Sequence, residues 1–227
     1  MKKNRYAIHE TLPIGILLTA VGGFLEAYTY LLRGGVFCNA QTGNIVLLAL
    51  ALAKKDIAQA LYYPLPILAF IIGIWLSSVI KDRMNVRETL QWEHILVAVE
   101  IVCLFGIGFM PQGAADNIAN VIVAFICSLQ YNTFRKVNDM PYASTFCTNN
   151  LRMTTENLYR FIIHKDQGAG KNFIRYSSII LSFFMGAILG TVAIHFWNIR
   201  AVWFCSVVLI CVFIAMVLTD YIHVKNQ

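Results

Sequence analysis

Two short stretches of an otherwise apolar chain carry side chains able to bind a polar solute. Asn39-Ala40-Gln41-Thr42-Gly43-Asn44 is the first, and Thr145 followed by Thr148-Asn149-Asn150 is the second. Their amides and hydroxyls offer donors and acceptors but no fixed charge. Such groups are costly in hydrocarbon unless they meet protein partners, water or a solute. Two uses fit them. They can coordinate a small polar or anionic solute where helix N-termini point inward, or they can cap two half-helices, with Thr42 and Thr148 as N-cap-like residues.

Glu26 adds an acid midway along the apolar run Leu12–Leu32. A carboxyl at that depth needs a partner and often marks a proton or cation path; a bond to a neighbouring helix or to the Thr42–Asn44 turn is the structural alternative. Glu100 shares a helix face with Glu93 by a spacing of seven and reads as anchored at the membrane interface. Arg152, Glu156 and Arg160 stand four residues apart and predict an ion-pair ladder. Gly186 and Gly190 form the G-x-x-x-G spacing that lets helices approach closely, against Gly22-Gly23. No H-E-x-x-H, G-x-S-x-G or P-loop pattern is present, so no catalytic residue, metal or cofactor is expected. Cys38, Cys103, Cys127, Cys147, Cys205 and Cys211 are scattered without a C-x-x-C pair and read as reduced thiols.

The elements that must position these residues are membrane helices. Hydrophobic residues make up 58% of the chain and charged ones 13%, with mean hydropathy +0.64, against roughly 45–50% and about 25% in soluble domains. The net charge of +6 lies in short groups beside apolar runs, which is a topology signal and not a nucleic-acid face. Apolar runs at Leu12–Leu32, Leu61–Ile80, Ile95–Met110, Ile118–Phe134, Phe173–Trp197 and Ala201–Thr219 each approach a span of about 20 residues. The first reads as an uncleaved helix, because it is too long for a signal-peptide core. Val36–Ala53 and Ser144–Ile163 hold the polar stretches and read as re-entrant or broken segments. With six crossings, Lys2, Lys3, Arg5, the Lys81–Arg87 loop, the Arg135–Lys171 segment and Lys225 fall on the cytoplasmic side; Arg33, Lys54 and Lys55 are then left outside. Eight crossings fit the charges less well.

The halves resemble one another. Leu25–Tyr30 aligns with Leu129–Phe134, placing Gln130 opposite Glu26, and Thr42-Gly43-Asn44-Ile45 aligns with Thr148-Asn149-Asn150-Leu151. The Lys54-Lys55-Asp56 and Lys165-Asp166 linkers follow in the same order. Three crossings per half is odd, so the second half enters upside down, as in many secondary transporters. The expected fold is an all-α polytopic membrane protein, one domain over residues 1–227, with about six transmembrane helices in two inverted three-helix repeats, residues 10–112 and 116–222, each carrying a T-x-N segment.

The series Gly22-Gly23-Phe24-Leu25-Glu26-Ala27-Tyr28, Gly34-Gly35-Val36-Phe37 and Gln41-Thr42-Gly43-Asn44 resembles the opening of the YoaK family of bacterial inner-membrane proteins, a domain of unknown function. The likeness continues at Gln130 and at Thr145-Phe146-Cys147-Thr148-Asn149-Asn150-Leu151. Glu26 stands where the family usually has aspartate, and Asn149 where it has glycine; asparagine tolerates positive φ, so a tight turn remains open to it. The resemblance implies a multi-pass inner-membrane protein and names no substrate.

The sequence therefore predicts a transporter or channel for a small polar or ionic solute, with termini in the cytoplasm. Its site is Glu26, Asn39, Gln41, Thr42, Asn44, Gln130, Thr145, Thr148, Asn149 and Asn150. The alternative is a membrane interaction or assembly protein whose amides hold helices together around a dry core. Its partner is the lipid bilayer, a homo-oligomer is compatible, and no nucleic acid is expected.

Overall fold

The computed structural model describes residues 7–83, 92–145 and 147–225. Lys2, Lys3, Arg5 and Arg87, used above for orientation, and Phe146 lie outside them. The chain is an all-α membrane protein, with one hairpin of two-residue strands among the described residues. The helices are α1 (Leu12–Leu32), α2 (Gln41–Ala53), α3 (Ile57–Ala60), α4 (Pro64–Arg83), α5 (Trp92–Ile107), α6 (Asp116–Thr133), α7 (Cys147–Ile163), α8 (Gln167–Trp197) and α9 (Trp203–Lys225); β1 (Lys136–Val137) pairs antiparallel with β2 (Met140–Pro141). Among the described residues, three stretches are long and apolar enough to cross a membrane: Leu12–Leu32, Ile57–Arg83 and Gln167–Ile222. The last contains both α8 and α9, joined by a 3-10 turn at Asn198–Val202. Leu68, Ile71, Ile72 and Trp75 of α4, and Leu181, Phe184 and Leu189 of α8, are exposed, the outward apolar surface that a bilayer covers.

Small residues decide which helices touch. Gly23 lies on the Phe183 carbonyl of α8, Gly186 on the Ala20 carbonyl of α1 and Gly190 on the Phe24 carbonyl, so α1 and α8 pack backbone to backbone. Gly22, expected in this contact, faces Ser144 and Thr145 instead. α4 packs along α6 in the same way, with Gly73 over Phe125 and Ser128, and Asn132 Nδ2 donating to Ser77 Oγ at 2.6 Å and Ser78 Oγ at 3.0 Å. α5 lies against α9.

Helix ends sort into two groups. At one end Arg33, just past α1, is fully buried: it donates to Asp116 Oδ1 at 2.9 Å, to the carbonyls of Pro111 and Met110, and to Tyr28 Oη, which itself donates to the Ile199 carbonyl. At the other end Trp92 Nε1 donates to Thr133 Oγ1, His94 Nε2 lies 3.4 Å from Asp220, and the Asn138 backbone N–H donates to the Glu10 carbonyl. Arg33 is thus removed from the topology count. Its charge is met by Asp116 inside protein.

Two charged linkers are built alike. Lys55 and Lys165 both adopt positive φ, 59° and 56°, and the aspartate after each caps the following helix. Asp56 accepts from the Gln59 N–H, and Asp166 from the N–H groups of Gly168 and Ala169. The Ala169 N–H chiefly holds the Asp166 carboxyl below the usual range.

Three expectations need correction. Glu100 is not at an interface: it is 1% exposed on the core face of α5, with no partner for either oxygen among the described residues. The ion-pair ladder forms only in its first rung, Arg152 to Glu156 at 2.9 Å, because Arg160 turns to Asp166 at 2.8 Å. Thr42 and Thr148 are not N-caps. Each is the second residue of its helix, and α2 begins after Ala40 with no side-chain cap. All six cysteines are free.

Candidate functional site

The polar stretches converge on the middle of α1. Glu26 Oε2 accepts from the Asn39 N–H at 2.9 Å and from Cys38 Sγ at 3.1 Å, and Oε1 accepts from the Ala40 N–H at 3.1 Å. All three are donors, the set that a carboxylate accepts. The acid therefore pins residues 38–40, not the Thr42–Asn44 turn, and holds the start of α2 at the depth of α1's interior. One residue-turn away, Asn39 Nδ2 donates to the Gly22 carbonyl at 3.2 Å. From the second half, Ser144 and Thr145 press on Gly22 itself, since a methyl there would stand 2.8 Å from the Ser144 carbonyl oxygen and 3.5 Å from Thr145 Cα. Residues 38–40 and 144–145 thus clasp one glycine from two sides.

Each stretch is shaped by an asparagine that folds back seven residues. Asn44 Oδ1 accepts from the Phe37 N–H at 3.0 Å and its Nδ2 donates to the Phe37 carbonyl at 2.6 Å. Asn150 does the same with Ala143, at 3.3 Å and 2.8 Å. Both asparagines are fully buried. Gln41 Oε1 accepts from Asn44 Nδ2 and its own amide donates to the Cys38 carbonyl, so it stiffens the first loop. Gly43 and Asn149 are inside helices, so the tight turn left open for Asn149 does not form. Gly43 is small because the Phe37 ring lies where a side chain would stand, 2.9 Å from a built methyl. Gln130 does not meet Glu26; it donates to the Leu18 carbonyl of α1 at 3.4 Å.

Removing the Asn44 side chain breaks three bonds at a buried turn, two to Phe37 and one to Gln41, at about 1 kcal/mol each and more if the Phe37 groups stay dry. Cys38 is buried and offers a reporter. In a background where Cys38 is the only cysteine, Asn44→Ala is expected to raise its labelling rate by a membrane-permeant maleimide by an order of magnitude or more. Unchanged labelling would show that Asn44 does not hold the loop.

Between the two T-x-N segments lies a cavity of 820 Å³. Thr42 lines it from the first half, Thr148 and Asn149 from the second, and Arg135, Tyr142 and Arg152 complete the polar wall. Of the buried polar atoms without partners among the described residues, Tyr142 Oη is on this wall and three others belong to the residues that clasp Gly22. Asn39 Oδ1, Tyr142 Oη, Ser144 Oγ and Thr145 Oγ1 accept or donate nothing among the described residues, a state that costs about 1–3 kcal/mol per group unless water or a solute fills it.

The expected residues therefore divide. Thr42, Thr148 and Asn149 face the cavity; Asn39 and Thr145 stand at the clasp; Glu26, Gln41, Asn44 and Asn150 hold the loops; and Gln130 braces α6 on α1. Sequence reasoning missed Tyr142, Ser144 and Arg135. The signal was available: carrying the alignment of the two T-x-N motifs back by seven residues reaches Phe37 and Ala143, the ends that the asparagines bind.

The profile of a family described as Protein of unknown function (DUF1275) matches residues 14–215. The chain is 24% identical over 188 residues to a protein named UPF0700 transmembrane protein YoaK from Bacillus subtilis (strain 168), covering 78% of this chain and 81% of that protein. No solved structure matches.

Proposed function

Because the chain belongs to the family described as Protein of unknown function (DUF1275), we propose that it is a multi-pass transporter or channel for a small polar or ionic solute, built from two inverted halves. The observation that carries this reading is the cavity of 820 Å³ reached by the T-x-N segments of both halves. Non-helical backbone at membrane depth is tolerated where protein buries it or it lines water, and transporters place their sites at such breaks. An assembly protein with a dry, satisfied core would leave neither the cavity nor the unpartnered Tyr142 hydroxyl in its wall.

The repeat is supported by matched contacts. α1 packs on α8 as α6 packs on α4, Asn44 and Asn150 make the same bonds seven residues back, and each half has a positive-φ lysine before a capping aspartate. Six crossings are supported by the two groups of helix ends: α1, α5 and α9 each have one terminus in the Arg33 group and one in the Trp92 group. α2 and α7 are then half-spans entering from opposite sides. In this arrangement a cysteine replacing Lys54 reacts with an impermeant maleimide from outside intact cells and one replacing Lys81 does not. The reverse pattern overturns the six-crossing arrangement.

Transport is tested in proteoliposomes with a panel of small polar and charged solutes. Glu26→Gln and Asn44→Ala, eluting as the parent does, are expected to lower uptake of a moved solute at least tenfold. Parent-like uptake by both folded variants refutes the site.

A further inference from the structure

We infer that the solute is an oxyanion, a molecule bearing a carboxylate, sulfate or phosphate group, and that Arg135 and Arg152 select it. The inference rests on the transport reading above and deepens it. Arg135 and Arg152 are the charged residues lining the cavity, and no aspartate or glutamate lines it among the described residues. Glu26, the acid midway along α1, has both oxygens taken up by Cys38, Asn39 and Ala40. Among the described residues the one carboxylate paired with Arg152 is Glu156, one turn along α7 and half exposed like itself, while its other terminal nitrogen reaches only the Met153 sulfur; a pair of that kind is weakly held and exchanges readily for a better-shaped anion. No hydrogen bond or ion pair engages the Arg135 guanidinium among the described residues.

The neutral lining has the same polarity. The opening turns of α2 and α7 bring Thr42, Thr148 and Asn149 into the wall, and helix N-termini favour anions. Tyr142 is an independent pointer. The residue is 5% exposed, it lines the cavity, and its hydroxyl, which can donate to an anion, has no partner among the described residues. Planar guanidinium groups match the paired oxygens of carboxylate and phosphate groups, which favours them over a bare halide. The cavity of 820 Å³ is in the range that holds metabolite-sized ligands.

A lipid headgroup phosphate and a soluble oxyanion share this chemistry, and the test separates them. The full chain is placed in phosphatidylcholine vesicles, and uptake of labelled inorganic phosphate, sulfate and succinate is compared with that of glycerol and choline. In parallel, unfolding of the detergent-solubilised chain is followed with each anion and with phosphatidylglycerol added. At least one soluble oxyanion is expected to enter tenfold faster than into protein-free vesicles and to raise the unfolding temperature. R135Q/R152Q is expected to abolish both effects, while R135K and R152K, which keep the charge and guard against misfolding of the double variant, retain part of each.

Entry of glycerol or choline with exclusion of all three anions overturns the anion inference and leaves transport standing. Anion binding that depends on the arginines without flux overturns transport and leaves the anion site. Stabilisation by phosphatidylglycerol alone assigns the site to a lipid headgroup and overturns a soluble substrate. Anion entry indifferent to both arginines reduces them to topology signals and overturns their role.

Discussion

Replacing Arg33 with leucine is expected to destabilise the chain by about 3–5 kcal/mol, the usual cost of removing one partner of a buried ion pair. Arg33 is fully buried and Asp116 is 8% exposed, so the aspartate would be left charged in a site that water barely reaches. Carbonyls of Ile107, Met110 and Pro111 would lose a donor as well. Asp116→Asn should cost less, because the amide keeps an acceptor for the guanidinium. The double variant R33L/D116L should recover part of the loss and not all of it: it removes the stranded charge but leaves three carbonyls unpaired. Thermal unfolding in detergent, read on the fluorescence of the tryptophans, orders the variants. An Arg33→Leu chain within about 1 kcal/mol of the parent would show that this cluster is not the clamp joining α1 to the α5–α6 connection.

Gly23→Ala is expected to cost about 3 kcal/mol, at the upper end for overpacking. A methyl at Gly23 falls on the carbonyl oxygen of Phe183, and both groups are backbone of long helices, so no flexible side chain can give way. The α1–α8 contact must open along its length. Gly106→Ala is the control. Nothing stands within 4 Å of a methyl there, and alanine favours helix over glycine, so it should be neutral or slightly stabilising. Equal stability of the two variants would mean that α1 and α8 separate freely. Gly22→Ala should act differently again. Its methyl meets the Ser144 carbonyl in the connection between β2 and α7 and not a long helix, so a smaller change in stability should accompany a large loss of uptake.

Much of the architecture was legible because hydrocarbon is a demanding solvent. A helix must be apolar for most of about 20 residues to cross it, so α1, α4, α8 and α9 stand out in hydropathy alone. For the same reason the amides at Asn39–Asn44 and Thr148–Asn150 stand out as exceptions, and Thr42, Thr148 and Asn149 do reach one cavity. The division of labour among these residues was not legible. Glu26 could be read as a solute ligand or as a structural acid, and its bonds run to residues 38–40; Thr42 and Thr148 were expected as caps and line the cavity; Glu100 was expected at the interface and is core. Spacing along one helix says which residues share a face, and nothing about which neighbour that face meets.

Composition and order alone settle that this chain lives in a bilayer, that its polar groups come in two matched sets, and that glycine pairs allow close helix contact, because each of these depends on local free energies of transfer and on side-chain size. The clasp on Gly22, the burial of Arg33 against Asp116 and the arginine-lined cavity depend on residues far apart in the chain. Only the packing of α1 against α8 and of α4 against α6 brings them together, and that packing is decided by the fit of whole helix surfaces.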